Sequence, residues 1–161
     1  MTKLPIRIAP ILLAYDYGRK ERGPSLEKSR FCPALCRIAQ EVVPFWLEEE
    51  GFPDDLSGLQ RRIEVFVEAR RPDLVFTIVM KDEIAPETFD FLKGRVFTVN
   101  WFCDDQWRFD DFSRFLAPRL SAAITTDPFA GPRYRKIGVE AAWAPWGVET
   151  FADEARLDER R

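Results

Sequence analysis

The sequence predicts an α/β domain: a doubly wound, mostly parallel Rossmann-like sheet of about six strands with helices on both faces. Three observations predict it. Apolar, β-branched segments alternate with helix-spaced segments six times along the chain. Leu74 to Met80 is apolar almost throughout, as a strand covered on both faces is. The third is the stretch V-F-T-V-N-W-F-C-D-D-Q-W-R-F-D-D, Val96 to Asp111, in which a strand-like run stops abruptly at Asp104 and Asp105. Open parallel sheets place their chemistry at the carboxyl ends of their strands, and right-handed crossovers favour double winding.

The elements come in this order. Ile6 to Tyr15 is the first strand, ending at Asp16. Tyr17 to Pro24 is a charged loop with two glycines. Ser25 is placed as a helix N-cap, with Glu27 in the first turn near the positive end of the dipole. Leu35, Ile38 and Ala39 give that helix an apolar face, and Pro33 either kinks it or starts it. Val42 to Leu47 is a second strand and Glu48 to Asp55 an acidic loop. Leu56, Leu59, Ile63, Phe66 and Val67 recur at helical spacing, and Pro72-Asp73 ends that helix. Leu74 to Met80 is the third strand, and Pro86 to Lys93 a short helix closed by Gly94. After the central strand, Asp110 to Leu116 reads as helix. Ala122 to Thr126 is the fifth strand, Phe129 to Ile137 a short helix stopped by Gly138, and Val139 to Ala144 the sixth strand. Residues 1–148 form the domain, and 149–161 read as a polar tail or linker.

Composition excludes several functions. Net charge is −3, which gives no electrostatic footprint for nucleic acid or anionic membrane. No apolar run approaches the roughly 20 residues of a membrane span, and no signal peptide is read, so a cytoplasmic location is expected. Three cysteines and no histidine leave too few ligands for a zinc site, so Cys32, Cys36 and Cys103 read as free thiols, and no metal or cofactor is expected. Without histidine, acid–base chemistry falls to carboxylates or to another domain.

The Gly18–Gly23 loop lacks the G-x-G-x-x-G spacing of a dinucleotide site. It is either a flexible loop that lets backbone approach a ligand or an ordinary charged surface loop. Asp104-Asp105 has three readings: a general base for a substrate hydroxyl, hydrogen-bonding partners of sugar hydroxyls, or a cap for the helix beginning near Trp107. A phospho-receiver acidic cluster is set aside, because no Lys ends the sixth strand. Trp107 and Arg108 suit stacking on a sugar or pairing with a phosphate, and also plain local packing. Arg133 to Lys136 reads as a solvated basic face. Pro145-Trp146-Gly147 is a hinge or a tight turn.

Several motifs recur together in this order: D-Y-G-x-x-x-R-G-P-S-x-E (16–27), P-D-L-V-F (72–76), N-W-F-C-D-D-x-W-R-F-D-D-F-S (100–113), T-T-D-P (125–128), Y-R-K-I-G-V (134–139) and P-W-G (145–147). From Ile8 to about Val148 the chain resembles the N-terminal half of a bacterial GT-B glycosyltransferase group related to the spore-maturation protein CgeB. The resemblance implies an acceptor-side domain whose nucleotide-sugar donor binds a second, C-terminal domain outside this chain, without a bound metal. It also implies that Asp16, Gly18, Arg22, Gly23, Ser25 and Glu27 lie at the acceptor side of a cleft, joined by Asp104, Asp105, Trp107 and Arg108. Asp104 or Asp105 would be the candidate base of the hexosyl transfer if it inverts configuration, and the residues do not say whether it inverts or retains. Two alternatives stand beside it. One is a non-enzymatic binding or assembly module that pairs with a partner chain or a second copy, with Trp146 and Phe151 packing on what is missing. The other is a small-nucleotide sensor.

Overall fold

The computed structural model describes residues 2–147 and bears out the doubly wound α/β expectation. Among the described residues, seven strands form one sheet, and every strand pairing in it is parallel. β1 (Leu4–Leu12) lies inside the sheet. On one side it pairs first with β2 (Ala39–Val42) and then, further along, with β3 (Phe45–Trp46). On the other side come β4 (Leu74–Thr77), β5 (Phe97–Phe102), β6 (Ala122–Thr125) and β7 (Ala141–Trp143), in chain order.

β2 and β3 are one edge strand interrupted at Val43-Pro44, where proline has no N–H to give a ladder. This corrects the expected single strand over Val42 to Leu47: pairing begins at Ala39. Ala39 does not lie on a helix face, as its spacing suggests. Its backbone is already extended and it is buried in the sheet. With the interrupted strand counted once, the order is one of the two common doubly wound orders, and its direction reverses between β1 and β4. The crevice at such a reversal, beyond the carboxyl ends of the strands, is where these sheets take ligands.

The helices keep their expected places with shifted ends. α1 (Cys32–Ile38) continues a wide π-turn over Glu27–Phe31. Pro33 therefore does not break the path: the wider turn lies where the proline ring would meet the carbonyl of Ser29 in a regular helix. α2 (Leu56–Arg70) is capped by Asp55, whose carboxylate accepts from the Gly58 N–H at 2.9 Å. α3 (Pro86–Lys93) is as expected. α4 (Asp105–Arg108), a π-turn over Phe109–Ser113 and α5 (Arg114–Leu116) form one helical path, which starts five residues before the predicted Asp110. α6 (Gly131–Lys136) is not a solvated basic face throughout, since Tyr134 is fully buried.

The two faces of the sheet are unequally covered. On one, Ile11, Val75, Phe102 and Ala123 pack with Leu59, Ile63 and Val67 of α2, Phe89 and Leu92 of α3, and Phe109, Leu116 and Tyr134. Burying each of the larger of these side chains contributes about 1.5–3 kcal/mol. On the other, Ile8, Leu12, Phe76 and Val99 are met, among helical residues described, only by Phe31 and Leu35 of the α1 path. The expected polar tail, with Phe151, lies outside the described residues.

Candidate functional site at the sheet rim

Beyond the carboxyl end of β1 the chain is held from below. The Glu48 carboxylate, in the turn after β3, accepts from the Ala14 and Tyr15 N–H groups at 2.7 and 3.0 Å. In the sequence Glu48 is one of several acidic loop residues, and nothing in its spacing marks it as the support of a loop more than thirty residues earlier. Asp16 to Arg22 then folds as two tight turns. Asp16 pairs with Arg22 at 2.7 Å, and the Arg22 guanidinium lies 4.6 Å from the Tyr17 ring centre. Gly18 has φ +69°, and a Cβ there would meet the Phe52 ring at 2.9 Å. Its missing side chain therefore serves packing within the chain. Gly23, also at positive φ, faces open space.

Ser25 is buried and caps the following helical turn as expected. Its hydroxyl donates to the Leu13 carbonyl at 2.7 Å and accepts from the Lys28 N–H at 3.0 Å. Glu27, one turn into this path, is half-buried. Burial raises its pKa above the ordinary 4.5, and the neighbouring Asp16 and Glu48 carboxylates push the same way, while hydrogen bonds from its own backbone and from Ser25 oppose them. The same carboxyl acts electrostatically on Cys103, at the end of β5. Glu27 is therefore in electrostatic reach of Asp16 and Glu48 after β1 and β3 and of the end of β5.

At the end of β5 the acidic pair splits. Asp104 sits on the rim in the left-handed region (φ 63°) and its side chain makes no cap bond, so it is not the expected cap. Asp105 turns inward and is 0% exposed. Its carboxylate accepts from the hydroxyls of Ser113 and Thr125 at 2.5 Å each and of Tyr134 at 2.7 Å, and its carbonyl accepts from Arg133 at 2.8 Å. Both oxygens are occupied and no solvent reaches them. Asp105 is therefore placed to position the rim, not to meet a substrate hydroxyl. It anchors the start of α4 to β6 and α6, and so sets where Asp104, Trp107 and Arg108 stand. The Tyr134 phenol is held well above its ordinary value, first by its own burial and then by the charge of Asp105 and the hydrogen bond to it.

Trp107 is 69% exposed. Arg108 lies 5.5 Å from its ring centre and 4.7 Å from that of Phe112, with one guanidinium nitrogen 3.7 Å from the Met80 sulfur. That contact draws the aromatic–arginine pair toward the exit of β4. The exit itself is fixed by Asn100 on β5, whose side-chain oxygen accepts from the Thr77 hydroxyl and the Val79 N–H at 2.8 and 2.9 Å. The structure thus brings Ser25, Glu27, Asp104 and Arg108 to the crevice and its lip. Asp16, Gly18, Arg22 and Gly23 form a self-contained flap beside it.

A separate cavity of about 550 Å³ opens between the N-terminal ends of α2 and α3 and the π-turn before α5, lined by Leu56, Gln60, Lys81, Asp82, Phe112 and Phe115 among others. It contains none of the residues singled out from sequence. Among the described residues, no group of three His, Cys, Asp or Glu side chains is placed to hold a metal ion. No helix among them is long and apolar enough to cross a membrane.

The thiols differ sharply. Cys103 is pushed up to about 12, first by burial and then by the Asp104 and Glu27 carboxylates, with Arg108 opposing. Cys32 is also raised by burial, whereas Cys36 is exposed on α1. With Ellman's reagent at mildly alkaline pH, one thiol should react fast, and Cys36→Ser should remove that phase. A second fast thiol would contradict this placement of Cys103.

A scan against protein-family models gives no match, and a search of curated proteins gives none either.

Proposed function

We propose that this domain binds a hydroxyl-bearing sugar acceptor at the rim of β1, β4 and β5, as the acceptor-side half of a cytoplasmic glycosyltransferase. The observation that carries the reading is what meets at one rim: Glu27, half-buried just after the Ser25 cap at the end of β1 and in electrostatic reach of the end of β5, and Asp104, Trp107 and Arg108 at that strand end. A carboxylate in that position can take the proton of an acceptor hydroxyl as it attacks an anomeric carbon. Asp104 supplies hydroxyl contacts and the exposed Trp107 ring a stacking surface. The nucleotide-sugar comes from a separate domain or partner chain, as the resemblance to two-domain transferases implies. The resemblance of the motif order to the CgeB-related transferases supports the same assignment, and so does the position of the site at the reversal of the sheet.

The test is direct binding of methyl glycosides of glucose, galactose and N-acetylglucosamine, followed by tryptophan fluorescence. At least one should bind saturably, and Trp107→Ala should weaken it about tenfold or more. If none saturates, or if Trp107→Ala binds as well as the parent, the acceptor reading fails.

A further inference from the structure

The cavity of about 550 Å³ between α2, α3 and the π-turn before α5 is held open by a frame of hydrogen bonds around Gln60. The Gln60 side-chain oxygen accepts from the Ala85 N–H and the Thr88 hydroxyl at 2.9 and 2.8 Å. Its side-chain nitrogen donates to the Leu56 and Glu83 carbonyls at 3.1 and 3.2 Å. The Glu83 carboxylate in turn accepts from the Met80 and Lys81 N–H groups at 3.2 and 2.7 Å. These bonds tie the start of α3 and the loop after β4 to α2. The walls are therefore fixed by the chain itself, as in a largely pre-formed ligand pocket, and the volume falls in the range of about 300–1,000 Å³ usual for one.

The polar groups of the frame are engaged with one another. The rest of the lining is of two kinds. One is apolar wall: Leu56, Ile84, Pro86, Phe112, Phe115 and Leu116. Ile84 and Leu116 are buried, but Leu56 and Phe115 remain 41% and 58% exposed, so apolar surface is left uncovered there. The other is charge, two side chains of each sign: Lys81 and Arg119, Asp82 and Asp111.

These four charges keep hydrogen-bonding capacity that the chain does not use. Lys81 and Asp82 lie 3.5 Å apart, but both are exposed, so water competes for the pair. Arg119, in the turn after α5, gives one guanidinium nitrogen to Asp90, which does not line the cavity, and the other donors of its fork are left over. Among the described residues, no hydrogen bond or ion pair engages the Asp111 carboxylate. A simple anion here would meet Asp82 and Asp111, and a simple cation Lys81 and Arg119. A zwitterion with an apolar body satisfies both signs and the wall together.

We propose that this cavity binds a free α-amino acid with a large apolar side chain. Its carboxylate lies on Arg119 and Lys81, its ammonium group on Asp111, and its side chain against Leu56, Phe112 and Phe115. The proposal stands apart from the acceptor reading, since Glu27, Asp104, Trp107 and Arg108 do not line the cavity.

Titration calorimetry of the full chain with L-leucine, L-phenylalanine and L-tryptophan tests this. At least one should bind saturably in the micromolar to millimolar range. The matching amine, which lacks the carboxylate, and the matching acid, which lacks the ammonium group, should each bind about tenfold or more weakly. Two variants then assign the ends. Asp111→Asn should weaken the amino acid about tenfold and leave the acid analogue unchanged. Arg119→Gln should weaken the amino acid about tenfold and leave the amine unchanged. In each case the unaffected analogue shows that the fold and the apolar wall survive. Three results would overturn the proposal: saturation by none of the three amino acids; an amine or acid that binds as tightly as its amino acid, which makes the site a plain apolar or singly charged pocket; or either variant binding the amino acid as the parent does, which takes that end of the ligand elsewhere.

Discussion

Asp105→Ala should cost about 3–5 kcal/mol of folding stability, the largest loss expected from any single polar substitution in this chain. The carboxylate is fully buried and is the common acceptor for three hydroxyls, on the α4–α5 path, β6 and α6. Truncation leaves Ser113, Thr125 and Tyr134 with donors in an apolar surround, where each unsatisfied group costs about 1–3 kcal/mol. For a chain of this size the loss corresponds to a fall in Tm of about 10 °C or more, measurable by circular dichroism. Asp105→Asn keeps the shape and one of the two acceptor oxygens, so part of the network survives, and it should cost less than the alanine variant, about 1–3 kcal/mol. That contrast separates anchoring from chemistry. A catalytic carboxylate would lose activity in the Asn variant with stability intact, whereas an anchor loses stability in proportion to the hydroxyls left unpaired. A Tm for Asp105→Ala within a degree or two of the parent would mean that the network is dispensable.

Glu27→Gln should do the opposite: it should spare or raise stability and, on the proposed acceptor-side role, lower turnover. In the unfolded chain Glu27 titrates near its ordinary 4.5, and in the fold its pKa is higher because the charged form is desolvated beside Asp16 and Glu48. The native state therefore binds more protons than the unfolded state above pH 4.5. The stabilisation linked to that proton is fully present below 4.5 and is lost as pH rises through the folded pKa. Glutamine has no proton to lose. The variant should match the parent under acid and gain on it toward neutral pH, as read from urea midpoints across that range. In an assembly that supplies the donor half, the same substitution should lower kcat by about 10²–10⁴-fold, with acceptor KM within a few-fold. Asp104→Asn should mainly raise KM. Full turnover by Glu27→Gln would transfer the proton to another group and leave Glu27 a binding residue.

Periodicity and punctuation made part of the fold legible in the residues. α2 is visible in Leu59, Ile63 and Val67, and α3 in Pro86 at its start and Gly94 at its end, because those signals are local. The run from Phe97 to Phe102 is visible because a buried parallel strand reads as a near-continuous apolar run. Ala39 misleads because alanine suits a helix face and a sheet interior alike, and only pairing with Leu4 decides between them. The two roles within Asp104-Asp105 cannot be separated in sequence. The partners of Asp105 lie 8, 20 and 29 residues away and converge only once α6 has packed beside β6. Glu48 is hidden for the same reason. Glu27 is found through the motif around it, but its burial and its electrostatic neighbours belong to the fold.

The interruption at Pro44 reaches beyond the site. It divides one margin of the sheet into stretches of four and two residues, with Gln40 and Glu41 exposed, and the opposite margin is only three residues long. Neither margin offers a foreign strand a template long enough to zip onto, and proline withholds an amide where a register would have to continue. The domain should therefore resist fibril-like growth during synthesis or storage, and any lasting association should form through its broad surfaces and not by lengthening the sheet.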